Sequence, residues 1–178
     1  FFAAGTYAGT IDVQAQAGVF LRSGESYFSS ARIGNGGYRP GTGTNPTNVI
    51  ADADIMVSTV AGGIILDAFQ NGSNAALWNL VQIGHGGIAD VSDNPDSSII
   101  KGAYKGNITV DGGSGNVEVL GGTAQGSAAQ IGHGGLGISG DHQGTIDVSA
   151  DGDLIMQTQA TVAGANARRY SQIGHGGT

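Results

Sequence analysis

Apolar and polar positions alternate along this chain in runs of only a few residues, each closed by glycine or a small polar residue. Gly9-Thr-Ile-Asp-Val13, Ala53-Asp-Ile-Met-Val57, Gly106-Asn-Ile-Thr-Val110 and Gly144-Thr-Ile-Asp-Val148 each set Ile and Val two positions apart, the period of a half-buried β-strand. A second run follows a glycine in every copy: Gly18-Val-Phe-Leu, Gly63-Ile-Ile-Leu, Gly115-Asn-Val-Glu-Val and Gly152-Asp-Leu-Ile-Met. In the last two copies one face carries Val117 and Val119, or Leu154 and Met156. The first two copies are apolar on both faces, which leaves their register open. A third run ends in glycines: Ala31-Arg-Ile-Gly-Asn-Gly-Gly37, Val81-Gln-Ile-Gly-His-Gly-Gly87, Ala129-Gln-Ile-Gly-His-Gly-Gly135 and Ser171-Gln-Ile-Gly-His-Gly-Gly177.

The three runs recur in the same order four times, which makes the chain a tandem repeat. The repeat predicts coils at 9–37, 53–87, 106–135 and 144–177, with insertions at 38–52, 88–105 and 136–143. Three short strands per unit with glycine turns describe a parallel β-solenoid, an all-β fold of about four coils occupying 1–178 as a single segment. An antiparallel sandwich also uses short strands and glycine-rich turns, but it needs different sequence at central and edge strands, whereas a solenoid needs the same sequence in every coil. The solenoid stacks like residues in columns, predicted as Ile11/Ile55/Ile108/Ile146, Val13/Val57/Val110/Val148, Phe20/Ile65/Val117/Leu154 and Ile33/Ile83/Ile131/Ile173.

Composition agrees with strands and turns. Glycine fills 34 of 178 positions, which disfavours helices at about 1 kcal/mol per interior glycine. Seven basic residues against 14 acidic ones give a net charge of −7, so nucleic acid is not an expected partner. The only adjacent basic pair, Arg168 and Arg169, fits a solvated strand end. The absence of cysteine removes disulfides, thiolate zinc sites and cysteine nucleophiles. The longest apolar stretch, Ile55 to Leu66, is interrupted by Ser58, Thr59, Gly62 and Gly63, too short for a membrane span. The chain opens on Phe1-Phe2 without an initiator Met or signal peptide, as expected of a processed or excerpted segment.

The corner motif carries the candidate chemistry. His85, His133 and His175 should stack in one column ended by Asn35, and Gln82, Gln130 and Gln172 in another ended by Arg32. Stacked histidines could share a cation or a proton. A conformational role fits better, because His and Asn tolerate positive φ, Asn35 is a poor metal ligand, and no acid or cysteine in the motif completes a coordination set. The glutamines are expected to hydrogen-bond amide to amide from rung to rung. His142 lies in an insertion and has no assigned role. Calcium is weakly suggested by Asp111-Gly-Gly-Ser-Gly-Asn116 and by Asp90, Asp93, Asn94 and Asp96, though solvated acidic loops account for both. Asp12 and Asp147 share a strand position, with Asp54 two positions earlier. The third coil has Asn or Thr there, so the position reads as solvent-facing, not as a paired carboxylate site. No Ser/His/Asp arrangement is present either. The expectation is a non-catalytic chain with no cofactor.

Neither end shows a capping segment, and joining them would give an inter-unit segment of nine residues, so the sequence is in phase with itself. Two arrangements are consistent with that: a piece of a longer tandem array, or subunits stacked head to tail in an open fibre. With G-T-I-D-V followed by A/V/S-Q-I-G-H-G-G over its whole length, the chain resembles large secreted bacterial proteins of the filamentous-haemagglutinin and autotransporter-adhesin type. The resemblance implies a β-helical stalk at the cell surface or outside the cell, with no catalytic residues to carry over. The expected function is a structural module of an extracellular filament or surface adhesin. Loops 38–52 and 88–105 would meet any glycan or surface ligand, with Tyr38, Arg39 and Tyr104 exposed, and Trp78 either exposed or capping the core of its coil. The alternatives are a carbohydrate-binding or carbohydrate-cleaving β-helix, which needs clustered carboxylates and aromatic platforms, and an ice-binding face, which needs Thr-x-Thr rows beyond the one at Thr42 and Thr44.

Overall fold

The computed structural model describes residues 5–24, 26, 29–39, 49–68, 78–89, 100–158 and 169–176. Among them are 19 strands and no helix. The first coil comprises β1 (Gly5–Ala8), β2 (Ile11–Ala15), β3 (Val19–Arg22), β4 (Ser30–Ile33) and β5 (Gly36–Arg39). The second comprises β6 (Val49–Asp52), β7 (Ile55–Thr59), β8 (Ile64–Asp67), β9 (Leu80–Ile83) and β10 (Gly86–Ala89). The third comprises β11 (Ile100–Lys105), β12 (Ile108–Asp111), β13 (Val117–Gly121), β14 (Ala128–Ile131) and β15 (Gly134–Leu136). The fourth comprises β16 (Ile138–Gln143), β17 (Ile146–Ser149), β18 (Leu154–Thr158) and β19 (Tyr170–Ile173).

Each strand pairs in parallel with its counterpart one coil away, giving five sheets: β1-β6-β11-β16, β2-β7-β12-β17, β3-β8-β13-β18, β4-β9-β14-β19 and β5-β10-β15. The chain is a parallel β-solenoid of four coils. The coil has five strands, not three. The additional strands lie at the edges of the expected insertions: β5 and β6 enter 38–52, β10 and β11 enter 88–105, and β16 fills most of 136–143. These runs escaped a reading by alternation because they differ from copy to copy.

Three of the four expected columns hold residue for residue. Ile11, Ile55, Ile108 and Ile146 are partners across the second sheet, as are Val13, Val57, Val110 and Val148. Ile33, Ile83, Ile131 and Ile173 are partners across the fourth. The remaining column is corrected: Val19, Ile64, Val117 and Leu154 align, while Phe20 and Ile65 align with Glu118 and Ile155. Phe20 accordingly faces solvent at 59 % exposure. Period-2 alternation forces this, because Val117 and Glu118 point to opposite faces and only Val19 and Ile64 share the inner one.

The inner columns of the second, third and fourth sheets meet in one core built around Ile55, Val57, Ile64, Leu66, Ile83, Ile108, Val110, Val117, Val119 and Ile131. Fully burying each such side chain contributes about 1.5–3 kcal/mol. β9 and β14 are covered on both faces. Val81, Ile83, Ala129 and Ile131 join that core, whereas Leu80 and Ala128 pack with Trp78, Ile88 and Leu136 in a second apolar cluster. Tyr104, expected to be exposed, is 2 % accessible, and Trp78 belongs to the second cluster. The side chains of Tyr38 and Arg39 lie outside the described residues, as do Thr42, Thr44 and Arg168.

Glycine fixes how closely the coils approach. Gly34, Gly84 and Gly132 have φ of +147°, +150° and +150°, and a Cβ on each would fall on the carbonyl oxygen of the equivalent glycine in the next coil, Gly84, Gly132 and Gly174. Two costs therefore combine at these positions, a left-handed backbone and a collision with main chain. Gly174 keeps the same conformation (φ +155°), but the nearest atom its Cβ would meet is Gln172 Nε2 at 3.3 Å. Urea denaturation should separate the two costs. Gly132→Ala is expected to lose at least about 3 kcal/mol or fail to fold, and Gly174→Ala only about 1–2 kcal/mol. Equal losses would show that coil contact adds nothing to backbone strain.

Candidate functional site

The Ile-Gly-His-Gly-Gly corner links the fourth sheet to the fifth, and the histidines align there as expected. The His85 and His133 rings stack with centroids 4.9 Å apart and planes 1° from parallel, and His133 and His175 stack at 4.9 Å and 12°. Their conformational role is different from the one the sequence suggested. Trp78 (φ 67°) is the one described non-glycine residue at positive φ, so the glycines supply the left-handed backbone and the histidines do not.

The histidines instead hydrogen-bond from coil to coil. Backbone N–H groups of Asn35, His85 and His133 donate to Nδ1 of His85, His133 and His175 at 2.9, 3.1 and 3.1 Å. A ring that accepts at Nδ1 carries its neutral proton on Nε2. Those Nε2 atoms face the carbonyl oxygens of Ala53, Gly106 and Gly144 at 2.8, 2.9 and 3.1 Å. Each imidazole thus clamps its own corner to the preceding coil with one nitrogen and to the entry of its second-sheet strand with the other. Both nitrogens are committed to the main chain.

Burial depresses the pKa of the His85 and His133 rings. His133 falls to about 4, chiefly by desolvation, against a raising effect of its bond to Gly106 and with further lowering by His85, His175 and His142. His85 is also lowered by desolvation first, raised by its bond to Ala53 and by Asp52, and lowered by Arg32.

The glutamine column is present, but its bonding differs. Gln82 Nε2 donates to the carbonyls of Gly132 and Gly134, both at 3.0 Å, and Gln130 Nε2 to those of Gly174 and Gly176 at 3.1 and 2.6 Å. Arg32 repeats the contact with Nη1 on the Gly86 carbonyl at 2.6 Å. The amides bond backbone in the next coil, not one another, because the corner turns its carbonyls inward where a strand would spend them in the ladder. Desolvation lowers the Arg32 pKa to about 10, with a smaller raising effect from Tyr104.

Other contributors were not recognised from sequence. The second residue of the Gly-Thr-Ile-Asp-Val signature forms its own ladder: Asp54 Oδ1 accepts from Asn107 N at 2.7 Å, and Asn107 Oδ1 accepts from Thr145 N at 3.1 Å and Thr145 Oγ1 at 2.8 Å. The recurrence of Asp, Asn and Thr at this corner was the available signal, since all three supply a short side-chain acceptor. Fully buried Asn79 accepts from Ser29 N at 3.0 Å and donates to the Gly24 carbonyl at 3.1 Å, tying the first coil to the second. His142, given no role above, stacks on Tyr104 with centroids 5.6 Å apart and planes 12° from parallel. Arg169 is bound as well as charged, donating to the Thr123 carbonyl at 2.7 Å.

The acidic candidates stay apart. Asp12, Asp54 and Asp147 are exposed at the outer surface. Asp111 Oδ1 accepts from Gly113 N at 3.0 Å, the bonding of a turn, and from Ser149 Oγ of the next coil at 3.3 Å. Among the described residues no group of three or more His, Cys, Asp or Glu converges as a metal site. Asp90, Asp93, Asn94 and Asp96 lie outside them. Searches of family models, curated proteins and solved structures find no match to this chain.

The clamp has a pH signature. A base whose folded pKa lies below its unfolded value of about 6.5 contributes stability that is complete above 6.5 and is lost as pH falls through the folded value. For His133 that window runs from about 6.5 down to about 4. The urea midpoint should be flat from neutral to mildly alkaline pH and decline through this window. His133→Leu should lose about 2–5 kcal/mol at neutral pH, by orphaning two buried backbone groups, and should flatten the decline. An unchanged decline would show that the ladder does not set acid stability.

Proposed function

We propose that this chain is a non-catalytic structural module of an extracellular filament or bacterial cell-surface adhesin, contributing length and rigidity and presenting variable loops. The observation carrying this reading is the coil-to-coil recurrence of the internal bonds: an imidazole accepts from the corner backbone at every step, and the corner carbonyls of the next coil are met by Arg32 at the first step and by the Gln82 and Gln130 amides at the other two. Repetition of one bonding pattern makes a rod whose length scales with the number of coils, at about 4.8 Å per coil.

The largest differences in length fall at two corners. Between the fifth sheet and the first, 9 residues separate β5 from β6 and 10 separate β10 from β11, against one between β15 and β16. Connections from the third sheet to the fourth run to 7, 12, 6 and 11 residues in coils one to four. A rigid rod with length variation confined to corners suits display, because loop changes there leave the columns intact. A glycan or other surface ligand would be met at these corners.

Antibodies raised against the purified chain should label intact cells of the source organism or filaments shed from them, and the chain should leave a panel of polysaccharides uncleaved. Labelling that requires lysis, or release of reducing ends, would overturn the reading.

A further inference from the structure

We propose that the Arg32/Gln82/Gln130 column is a binding site for enclosed water, with one molecule at each step joining the side chains of successive coils. Both steps lie inside the rod, and the site is the same whatever the rod is used for.

The column holds enclosed polar atoms that bond nothing in the chain. Gln82 and Gln130 are wholly buried, and Oε1 of each accepts no hydrogen bond. Arg32 Nε, at the same place one coil earlier, is enclosed and donates none. Buried polar atoms are seldom left so, because the loss of hydration is then uncompensated. Turning the amides over does not cure it. Nε2 of Gln82 donates to the carbonyls of Gly132 and Gly134, and Nε2 of Gln130 to those of Gly174 and Gly176, so an oxygen in its place would face two oxygens.

The donors of the corner itself are already spent. Gly84 N and Gly86 N bond the carbonyls of Ile33 and Asn35, and Gly132 N and Gly134 N bond those of Ile83 and His85. The N–H groups of His85 and His133 bond imidazole nitrogens. The donor that each Oε1 needs therefore comes from a bound molecule.

Water fits the spacing. Both amides make the same contacts one coil ahead, so their Oε1 atoms repeat at the coil step, which the His85 and His133 rings of the same corner put at 4.9 Å. Two hydrogen bonds of about 2.8 Å span that distance at an angle of about 120°, close to the angle between the two protons of one water molecule. That molecule donates to Gln82 Oε1 on one side and to Gln130 Oε1 on the other. At the first step the column begins with a donor instead. A water there accepts from Arg32 Nε and donates to the second lone pair of Gln82 Oε1, which serves a guanidinium that has no carboxylate beside it. On the same face the neighbouring column is shortest beside Gln130, where Ala128 stands between Leu80 and Tyr170. A metal cation fits less well: each step offers two oxygens at most where calcium takes about six to eight, and the Arg32 charge stands in the same column.

Crystals of the full 178-residue chain, grown in rubidium chloride and measured to near-atomic resolution, should show two density peaks without anomalous signal. One lies within hydrogen-bonding distance of Gln82 Oε1 and Gln130 Oε1, the other between Arg32 Nε and Gln82 Oε1. In solution, oxygen-17 relaxation dispersion of the solvent counts long-lived water. Gln82→Met keeps the side-chain length and removes the acceptor common to both sites, so the dispersion amplitude should fall by two molecules. If that variant fails to fold, the wild-type crystal decides alone. No peak between the side chains where surface waters are clear, an anomalous peak marking a cation, an Oε1 bonded to a protein donor, or an unchanged amplitude in folded Gln82→Met would overturn the proposal.

Discussion

The approach of one glycine corner to the next governs this molecule. Parallel strands fix the coil spacing at about 4.8 Å, and at the corners the main chain turns within that spacing with no room for a side chain. Gly34, Gly84 and Gly132 meet the condition by having no Cβ and by accepting positive φ. Every column depends on it. If one corner stood farther off, the strands on either side would lose their ladder bonds, and the isoleucines above them would no longer touch.

Glycine permits the approach but does not hold it, and the holding is done by side chains on backbone. The turn leaves N–H and C=O groups unable to join a strand ladder, and buried groups of that kind must find partners. The imidazoles of His85, His133 and His175 and the amides of Gln82 and Gln130 are those partners. The motif has polar residues at the two positions where the corner has unmet backbone groups. Nitrogen atoms used in this way are withdrawn from acid–base work, and the burial that lowers the pKa of His133 disfavours its protonated form as well. Stability of the rod and reactivity of its histidines are therefore opposed.

Much of this could be read from the chain. The recurrence of Ile-Gly-His/Asn-Gly-Gly and of Ile and Val two apart gave the solenoid, the coil number and three complete columns. The third-sheet column failed at Phe20 and Ile65 because both faces of that run are apolar in the first two coils, and hydrophobicity alone cannot tell inside from outside there. Tyr104 and His142 were misjudged because β11 and β16 do not repeat one another in sequence. Asn79 was invisible for a related reason, since it acts once, between particular coils.

What the sequence determined by itself is whatever recurs: a residue that must satisfy the same neighbour in each coil is written at the same place in each repeat, so Ile33, Ile83, Ile131 and Ile173 announce their column. The tertiary structure alone decided what each recurring polar residue bonds. It turned the glutamines onto carbonyls and set Nδ1 of each histidine on the coil behind. It also folded Leu80, Ile88 and Leu136 into a second core on the far side of the fourth sheet. Hydrogen-bond direction and the facing of non-repeating strands depend on where the backbone passes in three dimensions, and residue identity along the chain does not encode that path one position at a time.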